Sequence, residues 1–429
     1  MRILGFGRYT LSSCAVVAML AGCGALRQGQ DDMQPPIGAP ASTISHRSLH
    51  PTSSSPYKVT YFFGGSGNAA WPEAPLINVN GTLYGTTYAG GSANRGTVYS
   101  ISTDGAENVL YSFAGGSADG SSPTARLTNV DGTFYGTTYD GGPSNAGTVY
   151  SIGASGAENV LYSFTGKPDG GNPDSDLIDA NGTLYGTTSY GGSAGYGTVY
   201  TITTSGAEKV LYSFAGGTDG ARPAAGLTDV RGTFYGTTSS GGGLKCPGGC
   251  GTVYSITSAG AEKVLYRFGA GAGGRNPEAN LLNINGTLYG TTAYGGDFCS
   301  DNHVGCGTVF RISLTGNKKT IHLFTGGGAD GDGKVPKSGL IDVRGTLYGT
   351  TFGGGDGACG YPDCGTLYSV TPAGSETVLH TFTRGSKDGA WPVASLIDVN
   401  GTLYGTAETG GQPYQNCHHG CGAVFTWSL

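Results

Sequence analysis

One heptapeptide, Gly-Thr-Leu-Tyr-Gly-Thr-Thr, occurs seven times along the chain and constrains the fold more than any other feature. Phe replaces Leu in some copies, and the last copy ends in Ala407. The copies begin 50 to 59 residues apart, at Gly81, Gly132, Gly182, Gly232, Gly286, Gly345 and Gly401. A repeat of about 50 residues is typical of propellers and solenoids, in which each unit buries its apolar face against its neighbours.

Each repeat predicts four consecutive antiparallel strands. In the first repeat, Asn80-Gly81 lies between an apolar run and the remainder of the heptapeptide. Asn-Gly between two β-prone runs is typical of a type I′ hairpin. A Gly-Gly loop then leads to a third β-prone run at residues 96–101, and a short turn leads to a fourth at residues 109–113. This order indicates a meander of four strands in every unit.

The first and last β-prone runs of the chain favour a closed ring. A solenoid needs atypical capping repeats, whereas the first and last repeats here match the interior ones. Residues 57–63 resemble a fourth strand with no repeat before it, and residues 422–427 resemble a third strand with no successor. The sequence therefore predicts an all-β fold over residues 57–429, a seven-bladed β-propeller of four-stranded antiparallel blades in a kelch-like layout, with the N-terminal strand closing the last blade.

The composition excludes several other classes of protein. Glycine accounts for 82 of 429 residues and charged residues for only 12%, where about 25% charged is ordinary. Such a chain has too few strong helix formers for a coiled coil or a helix bundle. The net charge of −6 comes without a basic run, so no nucleic-acid partner is expected.

The N-terminal region predicts export. Arg2 and Arg8 precede an apolar stretch that is too short to span a bilayer, and Leu20-Ala21-Gly22-Cys23 follows. These four residues resemble the lipobox of bacterial lipoproteins, so residues 1–22 are predicted to be a lipoprotein signal peptide. Cys23 is then the lipidated first residue, and the protein is held in the cell envelope, with the outer membrane favoured. The alternative is an ordinary secretory signal.

Residues 23–56 are rich in Gln, Pro and Ser. This composition predicts a disordered tether.

Cysteine pairs occur where the loops between the second and third strands are longest. Repeats one to three have eight residues there, whereas repeats four to seven have 12 to 14. Four local pairs in an exported chain predict four disulfides. A zinc site is the rival interpretation, and it is weaker because the spacings vary and two loops would have to share one ion. The predicted pairs are Cys246 with Cys250, Cys299 with Cys306, Cys359 with Cys364, and Cys417 with Cys421.

The interblade loops and the loops between the second and third strands are expected to share one face of the ring. Aromatic residues beside these loops are candidates for stacking on sugar rings or contacting a protein, and packing between blades is their alternative role. Glu408 interrupts the repeat without a second unusual carboxylate, so no acid and base pair for glycoside hydrolysis is evident. The candidate binding face consists of Tyr88, Tyr139, Tyr190, Tyr294, Trp71, Trp391 and Glu408.

Two further sets of residues are expected to be structural. His322 and His380 replace the tyrosine of the fourth strand and are expected to pack between blades. His303 and His418 lie in cysteine-bearing loops, and an enzyme would require them to meet Glu408 in one pocket. Carboxylates in the interblade loops are expected to cap their own turns by accepting backbone N–H bonds. These are Asp119, Asp169, Asp219, Asp330 and Asp388.

The repeated segments, from the heptapeptide to Gly-Thr-Val-Tyr-Ser-Ile and Val-Leu-Tyr-Ser-Phe, resemble the GloVer tandem repeat of bacteria that include Gloeobacter and Verrucomicrobia. The resemblance covers residues 57–429 and implies an exported, surface-anchored protein. It implies no activity or catalytic residue. The sequence favours a monomeric, non-catalytic binding or scaffold module with a glycan or protein ligand, without cofactor or metal. The alternative is an exported hydrolase or lyase acting on polysaccharide or peptide at the loop-rich face.

Overall fold

The computed structural model describes residues 55–64, 68–243, 246–296, 299, 305–326, 331–355, 359, 363–413 and 417–429. In these residues the strands form seven four-stranded sheets and four two-stranded ones. Each four-stranded sheet is one antiparallel blade, and the first strands of neighbouring blades contact one another around the axis. The predicted seven-bladed, all-β propeller is confirmed. No helix in the described ranges is both long and apolar enough to cross a membrane.

The blades follow the repeats. Blade 1 contains strands Ile77–Val79, Thr82–Thr87, Thr97–Ser102 and Glu107–Ser112. Blade 2 contains Thr128–Val130, Thr133–Thr138, Thr148–Gly153 and Glu158–Ser163. Blade 3 contains Ile178–Ala180, Thr183–Thr188, Thr198–Thr203 and Glu208–Ser213. Blade 4 contains Thr228–Val230, Thr233–Thr238, Thr252–Thr257 and Glu262–Arg267. Blade 5 contains Leu282–Ile284, Thr287–Thr292, Thr308–Ser313 and Lys318–Leu323. Blade 6 contains Ile341–Val343, Thr346–Thr351, Thr366–Val370 and Glu376–Thr381. Blade 7 contains Ile397–Val399, Thr402–Ala407, Ala423–Ser428 and Tyr57–Phe62.

Two-residue strands join the interblade loops to the loops between the second and third strands. They pair Ala69–Ala70 with Ala89–Gly90, Gly120–Ser121 with Asp140–Gly141, Gly333–Lys334 with Gly353–Gly354, and Gly389–Ala390 with Thr409–Gly410. In blades 3 to 5 single bridges occupy the same place, such as that between Gly171 and Tyr190. Both kinds of loop therefore lie on one face of the ring, as predicted.

The ring is closed between strands from opposite ends of the sequence. Tyr57–Phe62 pairs antiparallel with Ala423–Ser428, with Tyr57 opposite Trp427 and Phe62 opposite Ala423. The next residue, Phe63, is buried and meets the Tyr99 ring of blade 1 edge-on, with centroids 5.1 Å apart. The predicted closure of blade 7 by the N-terminal strand is confirmed.

The glycines of the heptapeptide serve two different purposes. The first, such as Gly81, has φ +85° and follows Asn80 at φ +53°, which is the predicted type I′ hairpin. The second, such as Gly85, makes room for an aromatic ring of the third strand. A Cβ at Gly85 would lie 2.7 Å from Tyr99 Oη. The heptapeptide is therefore tied to the third strand by steric fit as well as by hydrogen bonds.

A buried pair of threonines also joins the second and third strands. In blade 1 the hydroxyls of Thr87 and Thr97 lie 2.8 Å apart, and both side chains are fully buried. Blades 2 to 6 repeat this pair. In blade 7 both positions change together, because Ala407 lies opposite Ala423. The change to Ala407 thus leaves no unpaired hydroxyl at this pair of positions.

Aromatic rings join neighbouring blades in the core. The phenylalanine that follows each fourth strand meets an aromatic ring of the next blade edge-on, and such contacts are favourable beyond the area they bury. Centroid separations are 5.0 to 5.4 Å. The pairs are Phe63 with Tyr99, Phe113 with Tyr150, Phe164 with Tyr200, Phe214 with Tyr254, Phe268 with Phe310, Phe324 with Tyr368, and Phe382 with Phe425.

A second set of contacts between blades, which we call the outer belt, joins the fourth strands. A tyrosine or histidine of one fourth strand contacts the residue that begins the fourth strand of the next blade. Tyr61 Oη, for example, donates to Glu107 Oε2 at 3.1 Å. The contacts pair Tyr61 with Glu107, Tyr111 with Glu158, Tyr162 with Glu208, Tyr212 with Glu262, Tyr266 with Lys318, His322 with Glu376, and His380 with Tyr57. Both strand histidines therefore pack between blades, as predicted.

Interblade aspartates complete the outer belt. Asp119 accepts the backbone N–H of Ala114 and Gly120 at 2.6 Å each, which confirms turn capping, and it also accepts the Tyr111 hydroxyl at 3.0 Å. Asp169, Asp219 and Asp388 likewise accept a backbone N–H in their loops. Asp330 lies outside the described residues, and Asp332 caps this turn through the N–H of Thr325.

The loop after blade 4 lacks the aspartate and shows a compensating change. It has Gly273-Gly274 where five of the seven loops have Asp-Gly. The facing residue of blade 5 is then Lys318, whose Nζ donates to Gly273 O and lies 5.7 Å from the Tyr266 ring centroid. Because both acids of this link are absent, the lysine has a carbonyl rather than a carboxylate as its partner.

Candidate functional site

The chain turns toward the axis at the same strained point in every repeat. The residue before each interblade proline has φ between +54° and +60°, although none is glycine. This left-handed conformation is uncommon for side-chain-bearing residues and least favourable for a β-branched one such as Val335. Backbone strain of this kind persists only where the surrounding structure imposes it. The residues are Trp71, Ser122, Asn172, Arg222, Asn276, Val335 and Trp391.

The residues that follow these prolines line a cavity on the axis, the funnel, with a volume of about 710 Å³. We call them the middle ring. One position of the repeat thus supplies acids, a base, a hydroxyl and small apolar side chains. The middle ring consists of Glu73, Thr124, Asp174, Ala224, Glu278, Lys337 and Val393.

A second set, the rim ring, lines the funnel at the loop-rich face. Its members are the residues directly after the heptapeptide, at the end of the second strand. Tyr190 and Arg222 line the funnel beside them. The rim ring consists of Tyr88, Tyr139, Ser189, Ser239, Phe352 and Glu408.

The carboxylates of the funnel interact with one another and with one lysine. Burial and then repulsion from Glu408 raise the pKa of Glu73 to about 8, although Lys337 lowers it. Burial also raises the pKa of Glu278 and of Glu408, and Lys337 opposes both shifts. Lys337 therefore faces three carboxyl groups, and the funnel holds protonated acid near neutral pH.

The remaining acid of the funnel is fixed by a neighbour. Ser189 Oγ donates to Asp174 Oδ1 at 2.7 Å. Burial raises the pKa of Asp174 to about 7, and this hydrogen bond lowers it in part. Asp174 is thus oriented by the rim ring and able to exchange a proton near neutral pH.

Aromatic side chains surround the entrance. Trp71 stacks against Tyr88 with centroids 6.3 Å apart, and Trp391 stacks against Phe352 at 5.8 Å. The Arg222 guanidinium lies 5.1 Å from the Tyr190 ring centroid, and 37% of the Tyr190 surface is exposed. The entrance therefore offers ring faces next to charged groups.

Hydrogen bonds join blades 2 to 5 below the middle ring. Asn280 of blade 5 donates from Nδ2 to Asp176 of blade 3 at 2.7 Å, passing over Gly226 of blade 4. The Gly226 N–H donates to Asn280 Oδ1 at 2.6 Å, and the Arg126 N–H donates to Asp176 at 2.8 Å. A Cβ at Gly226 would approach Asp176 Cβ to 3.1 Å. These contacts tie the wall of the axial channel together below the funnel.

The structure brings together only part of the predicted binding face. Tyr88, Tyr139, Tyr190 and Glu408 line the funnel, whereas Trp71 and Trp391 support it by stacking on lining residues. Tyr294 is half-buried, bridges Arg275 through its backbone, and does not line the funnel. His418 is exposed outside the funnel lining. His303 and Cys23 lie outside the described residues.

The sequence interpretation missed most of the charged residues of the funnel. It considered Glu408 a lone carboxylate, and the structure corrects this by placing Glu73, Asp174, Glu278 and Lys337 in the same cavity. All four occupy the position after the interblade proline. Across the seven repeats, the residue at this position varies more in chemical type than the residues directly before and after it. This variety is the sequence signal that could have identified the four charged residues.

The four predicted disulfides are formed, with Cα atoms 5.1 to 5.4 Å apart. They lie in the loops between the second and third strands of blades 4 to 7, on the same face as the funnel entrance. Next to the blade 6 disulfide, Trp391 Nε1 donates to Asp363 O at 2.8 Å. Four disulfides are typical of a protein that matures in an oxidising compartment, which supports export.

Solved structures share this fold at low sequence identity. A quinohemoprotein alcohol dehydrogenase from Comamonas testosteroni is similar at a TM-score of 0.50 with 11% identity, over 87% of this chain and 76% of that one. A puromycin-hydrolyzing peptidase from Mycobacterium tuberculosis matches at 0.47 and 12%, over 77% and 48%. A gluconolactonase from Xanthomonas campestris matches at 0.39 and 14%, over 84% and 86%. At 11% identity the first of these similarities concerns the fold alone, and nothing is inferred from the other two.

No curated protein sequence matches this chain significantly. The model of the Gloeobacter/Verrucomicrobia repeat family, in contrast, matches three overlapping segments, residues 48–195, 154–361 and 304–429. Together these segments include every blade described above. The expected GloVer resemblance is thereby confirmed, and the chain belongs to the Gloeobacter/Verrucomicrobia repeat family.

Proposed function

We propose that the protein is an exported lipoprotein, anchored in the cell envelope through Cys23, whose propeller binds a short segment of a glycan in the funnel without reacting with it. The observation that carries the proposal is the contrast between the lining of the funnel and the rest of the ring. The positions that build the blades repeat seven times, whereas the positions that line the funnel differ from blade to blade.

The lining suits a sugar ligand. Tyr88, Tyr139 and Tyr190 offer ring faces to the apolar side of a pyranose. Glu408 beside them in the rim ring, and Glu73 and Lys337 in the middle ring, offer hydrogen-bonding groups for hydroxyls. A volume of about 710 Å³ is within the range of small-molecule sites and holds a few sugar rings.

Glycan binding is tested with the full chain on an array of bacterial envelope oligosaccharides. We expect Tyr88→Ala and Tyr139→Ala each to weaken binding about tenfold, because each loses a stacking face. Tyr294→Ala is the matched control and should bind as the unchanged protein does, since Tyr294 does not line the funnel. Equal losses in all three variants, or no glycan bound, would contradict the proposal.

A hydrolase or lyase acting on polysaccharide or peptide is the second candidate. It is favoured by the acids of the funnel, because a Glu73 pKa of about 8 keeps this group protonated and able to act as an acid near neutral pH. Release of new reducing ends or of unsaturated products from any glycan that binds would support it. Glu73→Gln should then abolish release while binding persists.

The anchor is tested separately from the ligand. Cys23→Ser removes the thiol that the predicted lipid modification needs. We expect this variant to leave the membrane fraction and to remain soluble after export, because no acyl chain then holds it. A variant that still sediments with membranes would overturn the proposed lipid anchor without affecting the proposed ligand.

A further inference from the structure

The contact between blades 5 and 6 differs chemically from the other contacts of the outer belt. His322 of blade 5, Asp332 of the interblade loop and Glu376 of blade 6 each place a ligand atom within 4.8 Å of the other two. Blades 1 to 3 have tyrosine in place of the histidine, beside an aspartate and a glutamate. One nitrogen and two carboxylate oxygens therefore converge here, far from the funnel lining.

His322 does not form the hydrogen bond to the interblade aspartate that the tyrosine forms in other blades. Tyr111 Oη lies 3.0 Å from Asp119 Oδ2, whereas His322 Nε2 lies 3.8 Å from Asp332 Oδ2. Among the described residues His322 Nε2 has no hydrogen-bond partner, and it is buried. A shielded imidazole nitrogen that faces two carboxyl groups beyond hydrogen-bond distance is positioned to bind something placed between them.

The other belt histidine shows what a purely structural arrangement looks like. His380 Nε2 lies 3.2 Å from Asp388 Oδ2, and its ring stacks on Tyr57 with centroids 3.5 Å apart. Tyr57 stands where the other blades have an acid, and its hydroxyl donates to Asp388 at 2.5 Å. Where the histidine is fully partnered, the glutamate is absent. Where the glutamate is retained, the histidine is left unpartnered.

We propose that His322, Asp332 and Glu376 bind one divalent transition-metal ion, of which Zn²⁺ is the reference case. Imidazole and carboxylate ligands together suit Zn²⁺ and Mn²⁺ rather than Ca²⁺, which prefers oxygen alone. Ligand atoms around tetrahedral Zn²⁺ are about 3.4 Å apart, given bonds of about 2.1 Å. The separation of 3.8 Å between His322 Nε2 and Asp332 Oδ2 is close to that value. The metal joins blades 5 and 6, and water completes its coordination.

Asp332 can accept this additional contact. Its Oδ2 accepts the N–H and the hydroxyl of Thr325 at 2.8 and 3.0 Å. The equivalent Oδ2 of Asp388 accepts both groups of Thr383 and also contacts His380. A third contact at this oxygen is therefore compatible with the fold.

The experiment is calorimetric titration of the metal-stripped full chain with ZnCl₂ and, separately, with MnCl₂. We expect saturable binding that His322→Tyr weakens at least about 100-fold, because losing a ligand should cost more than the roughly 10- to 100-fold that losing a partner of a ligand costs. This substitution restores the tyrosine of the other blades, so the fold should be kept, and thermal unfolding without metal checks that. Zn²⁺ should raise the melting temperature of the unchanged protein but not of the variant.

Two control variants make the result decisive. His380→Tyr changes the partnered histidine and should bind Zn²⁺ as the unchanged protein does. A double variant, His418→Ala with His419→Ala, removes the exposed histidine pair, and the titration should again be unaffected. Zn²⁺ binding that survives His322→Tyr but is lost in the double variant would overturn the proposed site, as would the absence of saturable binding to the unchanged protein.

Discussion

The outer belt and the funnel are built from the same seven repeats, yet they use the repeat in opposite ways. In the belt, three links keep the same tyrosine, aspartate and glutamate, and two others change at two positions together, as when Gly273 and Lys318 replace an aspartate and a glutamate. In the funnel, the position after the proline changes independently from blade to blade. Positions whose partners lie in the next blade are constrained by them, whereas positions that face the cavity are free to diversify.

This contrast explains why a repeat protein can acquire a specific site without changing its fold. Seven equivalent positions converge on one axis, so seven independent substitutions give an asymmetric lining on a symmetric frame. We therefore expect changes in the contacts between strands and blades, which we call the frame, to alter stability, and changes in the funnel lining to alter its chemistry.

The largest effect is expected from removing the strand that closes the frame. Deletion of residues 57–63 leaves Ala423–Ser428 as an unpaired edge and removes the Phe63 contact with Tyr99. We expect loss of cooperative unfolding, or a melting temperature lower by at least about 10 °C, measured by circular dichroism. Deletion of residues 24–30, in the predicted tether, is the control and should leave the melt unchanged. An unchanged melt after the first deletion would contradict closure.

A smaller effect is expected from one methyl group in the body of a blade. Gly186→Ala places a Cβ 2.6 Å from Tyr200 Oη and 2.8 Å from Leu177 Cδ2, so it should lower the free energy of unfolding by about 2 kcal/mol through overpacking. Gly182→Asn is the matched control, because Gly182 has φ +79° with nothing near its Cβ position and Asn tolerates that conformation. Chemical denaturation should show a smaller loss for the control.

The belt carboxyls should make stability depend on pH. Burial and then repulsion from the interblade aspartate raise the pKa of Glu158, Glu208 and Glu262 to about 7. A carboxyl whose pKa is higher when folded stabilises the fold at low pH, and this contribution is lost as the pH rises through about 7. We expect the melting temperature to fall between pH 5 and pH 8. Replacement of all three by Gln should flatten this slope, and a melting temperature that rises with pH would contradict the assignment.

The smallest effect on stability is expected in the funnel. Glu408→Gln removes a charge that repels Glu73, so the free energy of unfolding should change by less than about 0.5 kcal/mol. The same variant should lower the pKa of Glu73, which a carboxyl-resolved NMR titration would show. A large loss of stability would mean that the lining also supports the frame.

The sequence was sufficient for those features that depend on local rules. Asn80-Gly81 predicts its hairpin, the cysteine pairs predict their disulfides, and the strand at residues 57–63 predicts the closure, because each follows from turn chemistry, spacing or an incomplete unit. The funnel was only partly predicted, since Glu73 and Glu278 become neighbours of Glu408 through the curvature of the ring and not through spacing along the chain. The belt cluster at His322 was missed because its ligands come from two blades and a loop.

The strand that closes blade 7 also has a consequence for how the protein matures. Thr426 Oγ1 donates to Lys58 O across 368 residues of sequence, so the first strand of the ring must wait until the last strand has been made. Contacts of such long range slow folding. Until Ala423–Ser428 pairs with it, the edge of Tyr57–Phe62 is open to wrong pairings with other strands. Closure of the ring therefore makes correct folding depend on keeping one strand edge free until the last strand arrives.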